Sequence, residues 1–326
     1  MKQREKLMQK WYIVFIGLVL AISSSHSDNK KFLADPLRST LSYLRLPVSA
    51  RVAALGGAVS SHVKGYPAYS VVNPALISKI TLIKLEISKP ILTLDRKHFF
   101  ISGLYPFTNY EAAIGAGWIN YTIDEIEERT NNGVLIGNFS DQENTFFINV
   151  GMSLLPNFGV GLTAKYHMQS LYETKAQGFS GDIGCFYQPW ELLTIAFVCH
   201  SLGTKFKWDN GHDEMIYPGF RFGASTLLFS DILGISADCE WTPGNFPQIF
   251  GGIECQPLPW VTIMTGAQAP NPIQFSGGID FSYKFLSVQY AFVYHKAELG
   301  HSHIITLGFE IGRGEKTPTY NQRGPQ

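Results

Sequence analysis

Phe275-Ser276-Gly277-Gly278-Ile279-Asp280-Phe281-Ser282-Tyr283, with Leu286-Ser287-Val288-Gln289-Tyr290-Ala291-Phe292 and Ile305-Thr306-Leu307-Gly308-Phe309-Glu310-Ile311 after it, decides the fold. Successive side chains of a strand point to opposite faces. Phe275, Ile279, Phe281 and Tyr283 therefore share an oily face, and Ser276, Gly278, Asp280 and Ser282 share one of small and ionisable groups. The same alternation runs through Leu233, Ile235, Ala237, Cys239 and Trp241, and through Val160, Leu162, Ala164 and Tyr166. From residue 79 to 312 roughly 14 such segments of about ten residues follow one another, the length a strand needs to cross a bilayer.

The links are alternately short and long. Tight turns are expected near 106–109, 155–158, 188–191, 229–231, 256–259 and 283–285. Between them, longer loops are expected at the acidic 124–142 stretch, at 171–176, at 202–217 and at 295–302; the link at 242–245 is short for its place. Short periplasmic turns alternating with longer outer loops are the pattern of an outer-membrane barrel, and an even strand count puts both barrel termini on the periplasmic side. The first two strands, near 79–94 and 96–105, are hard to separate because Pro90 interrupts them. The competing fold is a secreted β-sandwich or propeller. There the oily faces would meet in a core, and glycine would be scarcer on the opposite face.

Composition agrees with a barrel. The 326 residues carry no net charge and only 16% charged side chains, with 23 Phe, 15 Tyr, 6 Trp and 31 Gly. A neutral chain has no general attraction for nucleic acid. Trp118, Trp190, Trp241 and Trp260 fall near strand ends, where interfacial anchors belong. Lys2, Arg4, Lys6 and Lys10 precede an apolar run from residue 11 to 21 and the small residues Ser23, Ser24, Ser25 and Ser27, so residues 1–27 read as a secretory signal peptide. Residues 28–78 have a different grammar, with a short helix expected over 35–46 and few strand-like alternations after it. Residues 79–312 make the barrel and 313–326 a polar tail. Cys185, Cys199, Cys239 and Cys255 lie in phase with the apolar residues of their strands and read as unpaired small hydrophobes.

Leu46-Pro47-Val48-Ser49-Ala50-Arg51-Val52-Ala53-Ala54-Leu55-Gly56-Gly57-Ala58, then Asn73-Pro74-Ala75, resembles the N-terminal signature of the PorV/PorQ-like outer-membrane proteins, within the long-chain fatty-acid transporter (FadL-like) superfamily. His62 and Lys64 stand between the motifs where the family usually carries acidic residues. The resemblance implies a barrel of about 14 strands whose N-terminal segment, with Arg51, Gly56, Gly57, Asn73, Pro74 and Ala75, folds into the lumen as a plug. It implies uptake of a hydrophobic ligand, a long-chain fatty acid foremost, across the outer-membrane lipid. In its other branch it implies secretion-machinery proteins as partners. Independently of the family, a barrel this wide needs water or protein in its lumen, and irregular backbone at membrane depth must be shielded from lipid.

Under this reading Lys165, His167, Asp182, His200, Arg221, Asp238, Glu240, Glu254, Asp280 and Glu310 face the lumen. They could orient a plug, bind a polar headgroup, set ion selectivity or simply pair with one another on a solvated wall. No G-x-S-x-G elbow occurs, and His301-Ser302-His303 is a weak metal signal, so neither enzyme chemistry, a cofactor nor a metal is expected.

Overall fold

The computed structural model describes residues 42–92, 96–107, 110–244, 246–270, 273–295 and 300–312. The expected signal peptide, most of the helix expected over 35–46 and the polar tail lie outside the described residues; of that helix, the 3-10 turn Ser42–Arg45 is seen.

The strands are β1 (Ile83–Ile91), β2 (Arg96–Phe107), β3 (Ala112–Arg129), β4 (Leu135–Leu155), β5 (Phe158–Leu171), β6 (Thr174–Trp190), β7 (Leu193–Trp208), β8 (Asp213–Met215), β9 (Gly219–Leu228), β10 (Leu233–Trp241), β11 (Gln248–Leu258), β12 (Val261–Ala269), β13 (Gln274–Tyr283), β14 (Leu286–His295) and β15 (His301–Ile311). All are antiparallel neighbours in sequence order, except that β7 pairs with β9 and the three-residue β8 only borders β7. β15 returns to pair with β1 over Ile83↔Ile311 to Ile91↔His303, closing a barrel of fourteen strands. Pro90 pairs towards β15 at Ile304, while the β1–β2 ladder skips it, as a residue without an N–H requires.

Burial alternates along each strand. Ile148 and Val150 on β4, Leu162 on β5, Ile183 on β6, Ile253 on β11 and Ile263 on β12 are exposed on the outside. Such a belt is costly against water and suited to acyl chains. Trp190, Trp241 and Trp260 are exposed near the strand ends, and Trp118 stacks on Phe146. The four cysteines are unpaired with one another.

The turn expectations hold to within two or three residues, for example Leu155 to Phe158 and Tyr283 to Leu286. The long-loop expectations need correction. β3 continues to Arg129 and β4 begins at Leu135, so the acidic 124–142 stretch is mostly an extended hairpin. Residues 171–176 hold only a tight turn between β5 and β6, and β7 runs on to Trp208. The ladder persists because backbone pairing tolerates polar and charged side chains once the strands stand in water. Glu127 and Glu128 still face Asn138 and Gly137 in register.

Residues 43–80 lie inside the barrel. They contain α1 (Ala50–Ala54), α2 (Tyr69–Val72) and a 3-10 turn, Pro74–Lys79. Ser49 caps α1, its hydroxyl accepting from Val52 N. The five α1 residues are all buried, and its three alanines let the helix lie against β12 to β15. The hydrophobic core is the contact between this inner segment and the inward side chains, with Tyr43, Leu55, Tyr69 and Leu76 meeting residues such as Phe100, Phe186 and Met264.

Candidate functional site: the inner segment and the cavity beside it

Two rows of glycine seat the inner segment. Gly151, Gly161 and Gly184 stand directly opposite one another on β4, β5 and β6. A Cβ at Gly151 would come within 2.7 Å of Pro74 O, and one at Gly161 within 2.6 Å of the same atom. Gly252 and Gly266 form the second row on β11 and β12, where a Cβ at Gly252 would lie 2.7 Å from Leu55 O. Gly56 adopts φ +61°, a left-handed conformation that disfavours a side chain, and its backbone lies against Ala267.

Asn73, Pro74 and Ala75 sit in the first row. Asn73 is fully buried. Its amide nitrogen donates to Ser60 O (2.8 Å) and Cys185 O (3.3 Å), and its oxygen caps the following turn at Ala75 N (3.0 Å). Asn73→Ala removes the cap and leaves the two carbonyls without their donor, at a cost of about 1–3 kcal/mol. The expected result is faster hydrogen exchange over residues 66–80. Asn73→Ser, whose hydroxyl can still cap the turn, should fall between Asn73→Ala and the parent. Unchanged exchange in Asn73→Ala would remove this residue from the account.

Arg51 occupies the second seat. It is 1% exposed; its guanidinium donates to Glu254 on β11 (2.5 Å), Asp280 on β13 (2.6 Å) and Tyr69 OH (3.0 Å), and lies 4.4 Å from the Tyr66 ring. Lys64 reaches Glu254 at 2.5 Å. Burial pushes the His62 imidazole down to about 4, so it stays neutral beside Glu254 near pH 7. Two cations and two carboxylates thus balance, with Arg51, Glu254 and Asp280 buried and Lys64 reaching in from a partly exposed position. Lys64 therefore has a partner on the barrel wall, while His62 packs edge-on against Tyr69.

The other lumenal candidates fall into smaller groups. Lys165 pairs with Asp182 at 2.5 Å, with His200 Nδ1 3.7 Å away. Arg221 binds Asp238 (2.9 Å), Glu240 (3.3 Å) and Gly57 O (2.5 Å), and stacks on Phe250. His167 bridges Thr145 and Ser180, at 2.6 and 2.7 Å. Glu310 pairs with Lys84 at the rim, at 2.9 Å. Further ties from the inner segment to the wall run from Ala50 N to Thr306 Oγ1, Ser60 N to Asp238, Ala68 N to Glu86 and Ser276 Oγ to Ala54 O. Glu86, Thr306 and the glycine rows did not stand out in the sequence. Only strand register places them opposite the inner segment.

Between the inner segment and the wall lies a cavity of about 140 Å³. Leu46, Val48, Val52, Ile216, Tyr217 and Phe250 give the larger, apolar part of its lining; Gln248, Gln268, Gln274 and His200 add polar groups, and Lys165 and Arg221 border it in their paired state. The adjoining wall is irregular. The β6–β7 register shifts twice, between Phe179 and Gly181 and between Gly181 and Ile183, and Ser201 has φ +59°. The β7–β9 ladder ends at His200↔Gly219. Among the described residues, no group of three or more His, Cys, Asp or Glu side chains is arranged to hold a metal.

No protein-family model matches this sequence, and no curated protein matches it. Solved structures share its fold. The CymD monoaromatic hydrocarbon channel superposes with TM-score 0.63 at 12% identity, covering 81% of this chain and 97% of that one. The toluene transporter TodX of P. putida gives TM-score 0.63 at 11% identity, covering 82% and 99%. A FadL homologue of Pseudomonas aeruginosa gives 0.57 at 9% identity, covering 80% and 97%. At these identities the likeness is one of architecture alone, a closed β-barrel.

Proposed function

We propose that this barrel admits small hydrophobic molecules across an outer membrane, with the inner segment acting as its plug and both barrel termini on the periplasmic side. The observation that carries the reading is the cavity of about 140 Å³ between that segment and the wall, whose lining is apolar for the larger part. A cavity of roughly 150 Å³ lined by aliphatic and aromatic groups takes one benzene-sized molecule. Lys165 and Arg221 are already neutralised by Asp182, Asp238 and Glu240, so the lining suits a neutral ligand. A long-chain fatty acid, the ligand implied by the sequence resemblance, needs more room than this cavity offers. Its carboxylate would also compete with Glu240 for Arg221, so its binding requires the inner segment to shift. The fold shared with channels described as carrying monoaromatic hydrocarbons and toluene supports the same class. The irregular wall at 201–203 supplies a break beside the cavity through which such a ligand would leave.

Titration of the purified protein in detergent with toluene and with a long-chain fatty acid tests this. Toluene is expected to bind, and Ile216→Trp, which fills the cavity from its rim, is expected to weaken it at least tenfold. Saturable fatty-acid binding that Ile216→Trp leaves untouched, with no toluene binding, would refute the neutral-ligand reading. A barrel that binds neither but co-purifies with secretion components would have the alternative role.

A further inference from the structure

A second feature lies further along β4 and β5, towards the end of the barrel that carries the 130–134 turn. Asp141 and Glu143 project inward from β4, two residues apart on one face, and Gln169 on β5 stands directly opposite Glu143. Tyr121 on β3 is the other neighbour of Glu143 in register. Glu143 is 6% exposed. Gln169 Nε2 lies 3.3 Å from Asp141 Oδ1 and 3.0 Å from Glu143 Oε1, so one amide touches both carboxylates.

Two further oxygens are orphaned. Glu143 Oε2 and Gln169 Oε1 are both buried without a hydrogen-bond partner. Among the described residues, neither Asp141 nor Glu143 takes part in an ion pair, whereas Glu254, Asp280, Asp182 and Asp238 each have one. An ionised carboxylate taken out of water without a compensating charge is strongly disfavoured. Oxygen-only ligands with two negative charges are the chemistry of a hard divalent cation. On the outward face of β4 the apolar Phe146, Ile148 and Val150 give way to Asn144 and Gln142 at this level, so the pair stands at the edge of the apolar belt.

We propose that Asp141, Glu143 and Gln169 form a binding site for a calcium-type divalent cation. Asp141 and Glu143 Oε2 supply the charge. Gln169 supplies its carbonyl once the amide turns over, an orientation that the exchangeable oxygen and nitrogen positions of a glutamine allow. Water completes the six to eight ligands such an ion takes. The ion would tie β4 to β5. It would also steady the start of the inner segment, because Tyr43 stacks on Tyr121 and its hydroxyl bonds Thr145, two residues from Glu143.

The test uses the full chain, purified in detergent and stripped with EDTA. Terbium titration should give emission sensitised by Tyr121 and Tyr43 and competed by calcium, with an affinity on the order of 10⁻⁴–10⁻³ M, the range of modest extracellular sites. Glu143→Gln and Asp141→Asn should each weaken calcium at least tenfold while keeping the heat-modifiable gel mobility of a folded barrel. Glu125→Gln, on the same hairpin, should leave binding unchanged. The proposal is overturned if no calcium-competed emission appears, or if it survives both carboxylate substitutions. It is equally overturned if Glu143→Gln stabilises the protein to the same extent with and without calcium, because the buried acid is then held by a proton.

Discussion

Arg51→Met is expected to unseat the inner segment while leaving the barrel closed. The substitution keeps much of the side chain's volume and removes the charge that faces Glu254 and Asp280. Glu254 retains Lys64, but Asp280 keeps only the Ser282 hydroxyl as a hydrogen-bond partner. Removing one partner of a buried ionic group costs about 3–5 kcal/mol, because the other is left uncompensated. That is a large share of what a short, irregular segment can gain by packing. The strand ladders do not involve Arg51, so heat-modifiable mobility should persist. Protease sensitivity of residues 43–80 should rise sharply, and conductance in planar bilayers should increase as water enters the vacated lumen. Arg51→Lys should be intermediate, since a single ammonium cannot reproduce the guanidinium's fork between two carboxylates. Adding Glu254→Gln and Asp280→Asn to Arg51→Met should recover part of the loss by removing the stranded charges. Unchanged protease protection and conductance in Arg51→Met would show that the cluster does not hold the segment.

The barrel was legible because its signal is local. Phe275 to Tyr283 and Ile305 to Ile311 show their two faces within nine residues or fewer, and the inward parity of Lys165, Asp182, Arg221, Asp238 and Asp280 follows from counting in twos. The inner segment announced itself by being unlike a strand. Its contacts are another matter. Arg51 and Glu254 are 203 positions apart, and which inward carboxylate meets Arg51 depends on the register of every strand between β1 and β15. The acidic 124–142 stretch reads as a loop, and is mostly strand, for a related reason. Charge marks where a chain leaves the membrane, yet β3 and β4 go on pairing beyond that point. The glycines were visible as a surplus, but Gly151, Gly161 and Gly184 become a row only when three strands are laid side by side.

That row sets up a result with a built-in contrast. Gly161→Ala places a methyl group within 2.6 Å of Pro74 O, and Gly266→Ala places one within 2.8 Å of Gly56 Cα. In both cases the obstruction is backbone, which cannot swing aside as the end of a flexible side chain can. Overpacking of this kind costs about 1–3 kcal/mol. The strain should fall on the inner segment, since each strand is pinned by ladders on both sides and the segment is not. Hydrogen exchange should therefore quicken over 66–80 in Gly161→Ala and over 43–58 in Gly266→Ala, with the reciprocal region less affected. Gly251→Ala, where the added methyl meets nothing within 4 Å, should stay within about 0.5 kcal/mol of the parent. Valine at 161 should enlarge the effect and raise conductance towards that of Arg51→Met, because both routes empty the same lumen. If Gly161→Ala and Gly251→Ala prove equally silent, the segment does not rest on the wall at Pro74. The glycine row would then be a feature of strand packing alone.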